Sequence, residues 1–288
     1  MLPIKKIYID SKFKTLDSVS SSNFKIDLQT SLLFPENSCF FIDNVSIPHS
    51  WYTVEENIND RIFIFLTPKQ TDQDNSGRLY ISVQIGSGNY TGADLATELL
   101  SKINLAFNSS TRTNIFNVTF NARKNTIAIS TLYNEIKFKI LTTNDVKSQL
   151  NNTWLGYPYD YNNAHDMNDI LRNTEGTSNF YDSNIPYVSG VLDLQLIRNI
   201  YMHSPNLGNF NTIGPQGENT IIKKIPVTAD YNQMIFDAEM VGNDFLDCSR
   251  QTWRRLEFQL KNSKGDFINL HGGHISFSIV FSQMNPNM

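Results

Sequence analysis

Ile275-Ser276-Phe277-Ser278-Ile279-Val280-Phe281-Ser282 sets large apolar residues against serine at alternate positions along most of its length. A period of two places Ile275, Phe277, Ile279 and Phe281 on one face and Ser276, Ser278 and Ser282 on the other. That is the pattern of a β-strand with one buried face. The same period recurs upstream. Phe24, Ile26 and Leu28 alternate with Lys25 and Asp27, and Leu79, Ile81, Val83 and Ile85 alternate with Tyr80, Ser82 and Gln84. Leu192, Leu194 and Leu196 predict a further strand, and Leu256, Phe258 and Leu260 run into the turn residues Asn262 to Asp266. Phe116, Val118 and Phe120 precede a polar turn at 121–125. Ile127 and Ile129 follow it, then Ile136, Phe138 and Ile140, so three strands of an antiparallel meander are expected. Arg61 to Leu66 is apolar on both faces and is expected as a central strand between two layers.

Helical signals are fewer. Thr91 with Asp94 three residues on reads as a capping box, after which Leu95, Leu99, Ile103 and Phe107 share a face. A shorter helix is predicted from about Asn144 to Leu150, with Thr143 or Asn144 as its cap. Neither helix falls into a repeated strand–helix–strand order, so a doubly wound sheet is not expected. The fold predicted is mainly β: a jelly-roll β-sandwich with an inserted α+β lobe. Residues 1–66 and 187–288 would build the sandwich, and residues 67–186 the lobe, with its main helix and its meander. The stretch from Tyr157 to Val188 has no period and reads as a surface excursion.

Composition narrows the function. The chain has 288 residues, 24 basic against 28 acidic, for a formal net charge of −4. That balance argues against a protein that coats nucleic acid by charge. At 40% hydrophobic the chain can bury a core, so wholesale disorder is excluded. Two cysteines rule out a disulfide scaffold. No apolar run is long enough for a membrane helix, and the opening Met-Leu-Pro-Ile-Lys-Lys has no signal-peptide apolar region. Asparagine is about one residue in nine, and charged residues are only 18%. The polar surface is therefore largely uncharged, and few ionisable groups remain for chemistry.

The constellations that could carry chemistry each have a plainer reading. Gly86, Gly88 and Gly92 lie between a strand and a helix, where a phosphate loop would sit, but the spacing fits a tight turn better. His271 and His274 could offer two imidazoles to a metal, yet no cysteine or carboxylate cluster completes a set nearby. Cys39 sits among aromatic residues, and neither it nor Cys248 has a local histidine signature of a nucleophile. Asp237 and Glu239 share a strand face and Glu55-Glu56 lie near a turn; both read as solvated acids. Lys264-Gly265-Asp266 is accounted for as a hairpin turn. No catalytic, cofactor-binding or metal-binding residue is assigned, and no enzymatic activity is expected.

Ordered segments carry a resemblance. They are Tyr8 to Ser11, Ser21 to Ile26, Val45 to Tyr52 with Glu56-Asn57, and Gly88 to Thr91 with its helix. Then come Trp154 to Tyr157, Ile200 to Leu207, Ile221 to Val227, Leu256 to Leu260 and Ile268 to Gly272. Their order resembles the penton (minor capsid, single jelly-roll) proteins of virophages, polinton-like viruses and Maverick/Polinton elements, over most of the chain. The resemblance implies a single jelly roll with an insertion, and five copies closing each vertex of an icosahedral double-stranded DNA virus. It implies a double-jelly-roll major capsid protein as neighbour, a place in the virion, assembly in an infected host cell, and no catalytic residues. A ring of heterologous contacts suits a chain with few charges. The competing reading is a carbohydrate- or receptor-binding β-sandwich attachment protein, in which Trp154, Tyr157, Tyr159 and Tyr161 would stack on sugars.

Overall fold

The computed structural model describes residues 3–67, 79–107, 114–148, 166–173, 179–208, 212–239 and 244–283. In chain order the first strands are β1 (Pro3–Asp10), β2 (Asn23–Leu33), β3 (Ser38–Pro48), β4 (Arg61–Thr67) and β5 (Leu79–Gln84). Helix α1 (Gly92–Ala106) follows, then β6 (Phe116–Asn121), β7 (Thr126–Thr131) and β8 (Lys137–Leu141). Helices α2 (Thr143–Ser148) and α3 (Asn168–Leu171) precede β9 (Tyr187–Val188), β10 (Asn199–His203) and β11 (Ile221–Pro226). The chain continues through β12 (Met234–Asp237), β13 (Leu246–Asp247), β14 (Thr252–Lys261) and β15 (Ser276–Gln283). Two units result: residues 1–51 with 197–288, and residues 52–196.

The discontinuous unit is a jelly roll, and its pairing shows why. Apart from the two-residue β13 it has eight strands. The first pairs with the last (β1 with β15) and the second with the seventh (β2 with β14). The third pairs with the sixth (β3 with β12) and the fourth with the fifth (β10 with β11). Every pairing is antiparallel, as if one long ribbon of paired strands had been wrapped around a core. The wrap yields a first sheet in the order β1-β15-β3-β12 and a second in the order β11-β10-β14-β2. Phe277, Ile279 and Phe281 of β15 enter the core opposite Phe24 of β2 and Phe258 of β14. Phe258 meets Phe277 edge-on, with ring centroids 4.9 Å apart. Phe24, Phe40, Phe258 and Phe281 are at most 1% exposed, and burying each ring contributes about 1.5–3 kcal/mol.

The second unit has its own core. Thr91 accepts from the Asp94 amide, and Asp94 answers from its side chain, so α1 starts with the expected capping box. Leu95, Leu99, Ile103 and Phe107 are buried, and Phe107 packs on Phe116 of β6 at 4.9 Å. β4 is the middle strand of the sheet β5-β4-β8. Ile62, Ile64 and Leu66 face the larger core, while Phe63 faces a small cluster with Leu141 and Val146. Both faces are covered, as its unbroken apolar run requires.

Several expectations fail in detail. The division lies at 51/52 and 196/197 rather than at 66 and 187, because both edges of β4 are paired with β5 and β8 of the inserted unit. The meander stops after two strands. β6 and β7 form the hairpin, but β8 pairs with β4, and the free edge of β7 takes β9. The buried Thr131 hydroxyl sits against the carbonyls of Tyr133 and Ile136, which turns the chain out of the β7 ladder. Leu192, Leu194 and Leu196 form no strand. Their segment is tied by single irregular bonds, Leu192 N to Asn125 O and Asp193 N to Ile170 O. The short helix is capped one residue earlier than expected, by Thr142, whose hydroxyl accepts from the Asp145 amide at 3.2 Å.

Candidate interaction surface

The glycine turn before α1 is an internal splice. Gly88 exchanges backbone bonds with Val54, and the Tyr90 hydroxyl donates to the Gly86 carbonyl at 2.7 Å. Gly92 is required by close packing, since a Cβ there would stand 2.4 Å from the Phe120 ring. The donors a phosphate would need at Gly88, Thr91 and Asp94 are taken by protein groups.

His274 lies with Nδ1 3.3 Å from the Ser21 hydroxyl and 3.5 Å from that of Ser11, whereas His271 is an exposed turn residue at φ 46°. Among the described residues no group of three or more histidines, cysteines and carboxylates gathers as a metal site. Cys39 and Cys248 are fully buried free thiols. Burial pushes the Cys248 thiol up to about 12 and raises Cys39 as well, the opposite of what a nucleophile needs. Asp237 is not a solvated acid. It pairs with Lys223 at 3.5 Å, with side chains 10% and 8% exposed. The Lys264-Gly265-Asp266 turn closes with Gly265 at φ 85°. Trp154, Tyr157, Tyr159 and Tyr161 lie outside the described residues.

The jelly-roll unit instead presents two unlike outer faces. On the second sheet, Arg255 forks onto Asp27 at 2.6 and 3.0 Å and reaches Asp17 at 3.3 Å, while Lys25 meets Asp17 and Glu257. The Arg255 hydrogen bond holds the Asp27 carboxyl below the usual carboxylate range. These charges satisfy one another, and stripping water from them would be costly.

The first sheet differs. Cross-strand rows read Lys6–Val280–Phe41, Tyr8–Ser278–Asp43, and Asp10–Ser276–Ser46–Phe236. Ser278 and Ser282 are 2% and 4% exposed, because small side chains on the central strand are overshadowed by larger ones on both neighbours. Lys6 donates to Asp43 at 2.8 Å, joining the two strands that flank β15. Either side of this serine floor stand Tyr8 and Phe236, 79% and 70% exposed. A groove whose lining includes Tyr8, Asp10, Phe13, Ile26, Asn44 and Ser278 opens at the same place. Phe13, Leu16 and Val19, in the connection from β1 to β2, are also exposed. A serine centre edged by aromatic rings, with Asp10 on the edge strand accepting from the Lys12 amide, has the composition of a protein-binding surface. Tyr8 stood out in the sequence only as the start of the Tyr8 to Ser11 motif, not as an outward residue. Phe236 did not stand out, since a four-residue strand carries too short a pattern.

No helix among the described residues is long and apolar enough to cross a membrane. No protein-family model matches the chain, and no curated protein does. Among solved structures, the chain is similar to the SeMet-labeled mavirus penton protein. The identity is 11% and the TM-score 0.49, with 97% of this chain and 100% of that chain covered.

Proposed function

We propose that this chain is a structural capsid protein. In this reading five copies close each vertex of an icosahedral double-stranded DNA virus or virophage-like element, among double-jelly-roll major capsid subunits. The observation that carries the reading is the eight-strand jelly roll interrupted, between its third and fourth strands, by a second folded unit. That is the arrangement the ordered sequence motifs imply. The chemistry agrees with a role in packing: both thiols are sealed, and the outer face of the first sheet offers mainly serine and aromatic groups, with Lys6 paired to Asp43 and Asp10 held by the Lys12 amide. Copies would meet through that face and through the exposed Phe13, Leu16 and Val19. The test is mass and placement. Native mass spectrometry of the purified chain should find a pentamer, alone or with a double-jelly-roll capsid protein. Electron microscopy of co-expressed particles should find it at the vertices. A chain that stays monomeric and is left out of such particles overturns the proposal.

A further inference from the structure

The second sheet ends on a histidine whose surroundings suit only its neutral form. His203, the last residue of β10, is 2% exposed. Its Nδ1 lies 2.9 Å from the Thr220 hydroxyl, and its Nε2 is buried with no hydrogen-bond partner. A buried N–H without an acceptor costs more than a bare lone pair. The fitting tautomer therefore carries its proton on Nδ1, donates to Thr220, and leaves Nε2 empty. Protonation would create a donor at Nε2 with nothing to receive it.

Thr220 is also the anchor of the connection between β10 and β11. Its carbonyl accepts from the Ser204 amide at 2.9 Å, and the Gly208 amide in turn donates to the Ser204 carbonyl at 2.8 Å. Gly208 passes so close to Thr220 that a Cβ would stand 2.9 Å from the threonine Cα. On the far side, Gly214 donates to the Glu218 carbonyl. Imidazole, threonine and connection thus form one clasp.

We propose that His203 is an acid-sensitive latch. When neutral it holds residues 204–208 and 212–220 against the second sheet, and when protonated it releases them without unfolding the jelly roll.

The charged groups around it decide the sign. On β14, Gln259 lies opposite His203 in the ladder, and Lys261 stands two residues on. Lys224 of β11, opposite Tyr201, is a second cation on this face. Glu218, in the connection itself, is the acid nearby, and its carboxylate already accepts from the Gln216 amide. Burial lowers the affinity of His203 for a proton, Lys261 lowers it further, and Glu218 opposes both. The group therefore titrates below its ordinary 6.5 in the closed form and near that value when released. Closure is fully favoured above about pH 6.5 and is lost as the pH falls from there toward the depressed value. Each unit of depression makes opening about tenfold easier.

The experiment is amide hydrogen exchange at Ser204, Gly208 and Gly214 between about pH 7.5 and pH 5, corrected for intrinsic exchange, on the full chain and on His203→Gln. Opening should rise in the natural chain by about tenfold per unit of depression, stay flat in the variant, and leave the exchange of β15 unchanged. An NMR titration of the His203 ring in the natural chain should give a midpoint below 6.5 that coincides with the opening, and this holds even if the variant folds poorly. Protection that does not change with pH, an equal rise in the variant, or a ring that titrates at or above 6.5 overturns the proposal. None of these outcomes depends on whether the chain forms pentamers.

Discussion

Six of the nine non-glycine residues at positive φ among the described residues are asparagines: Asn37, Asn44, Asn57, Asn114, Asn125 and Asn232. Asparagine tolerates the left-handed region better than other non-glycine residues, so part of its abundance is spent on turning corners between strands. Asn37 is the cleanest case, exposed in the turn between β2 and β3 at φ 58°. Chemical denaturation of Asn37→Val should show a loss of about 1–2 kcal/mol, while Asn37→Gly stays near the natural chain. The two cysteines carry a second residue-scale prediction. Ellman's reagent at pH 8 should find neither Cys39 nor Cys248 in the folded chain and both after denaturation, because burial holds both thiols protonated. Rapid labelling of the native protein would contradict this account.

At the scale of elements, the sandwich must manage four sheet edges. β1 carries Pro3, Lys5 and Lys6, β11 carries Lys223, Lys224 and Pro226, and β12 has only four residues. β2 breaks register with β14: Leu32 pairs with Trp253 and Asp27 with Arg255, so four residues of β2 face one of β14. Proline, lysine, shortness and a bulge all discourage strand addition, which leaves faces and loops to make partner contacts. The edge strands β11 and β12 belong to different sheets, and Lys223 ties them. Its ammonium pairs with Asp237 and donates to the carbonyls of Ile42 and Glu239 at 3.3 and 3.0 Å. Lys223→Met should cost about 3–5 kcal/mol in urea unfolding, because it strands a nearly buried carboxylate. The double change Lys223→Met with Asp237→Leu should recover most of that loss. If the single change is harmless, the pair is not a staple.

For the whole molecule, the contrast between the two outer faces is what assembly would read. Charge placed on the serine-floored face should block association without harming the fold, because Tyr8 and Phe236 point outward from the core. Tyr8→Asp and Phe236→Asp should therefore keep the thermal midpoint of the natural chain and lose the proposed oligomer in light scattering. The matched control is Arg255→Gln on the second sheet. It removes a solvent-screened surface ion-pair network and should leave the proposed oligomer intact. Equal effects from both faces would show that this surface has been misassigned.

Local pattern by itself determined the positions of β2, β4 to β8, β14 and β15, the burial of β4 on both faces, and the capping of α1 by Thr91 and Asp94, because these depend on residues within one element. It determined nothing about partners. Phe138 and Ile140 alternate just as Ile127 and Ile129 do, yet β8 joins β4 rather than β7, since pairing is settled by which edge is free in three dimensions. Leu192, Leu194 and Leu196 have a strand's period and no strand's partner. The serine floor was written in Ser276 and Ser278. Tertiary structure alone set Tyr8 and Phe236 to either side of it and matched first strand to last. A sandwich core is built between residues far apart in sequence, and local pattern carries no record of that distance.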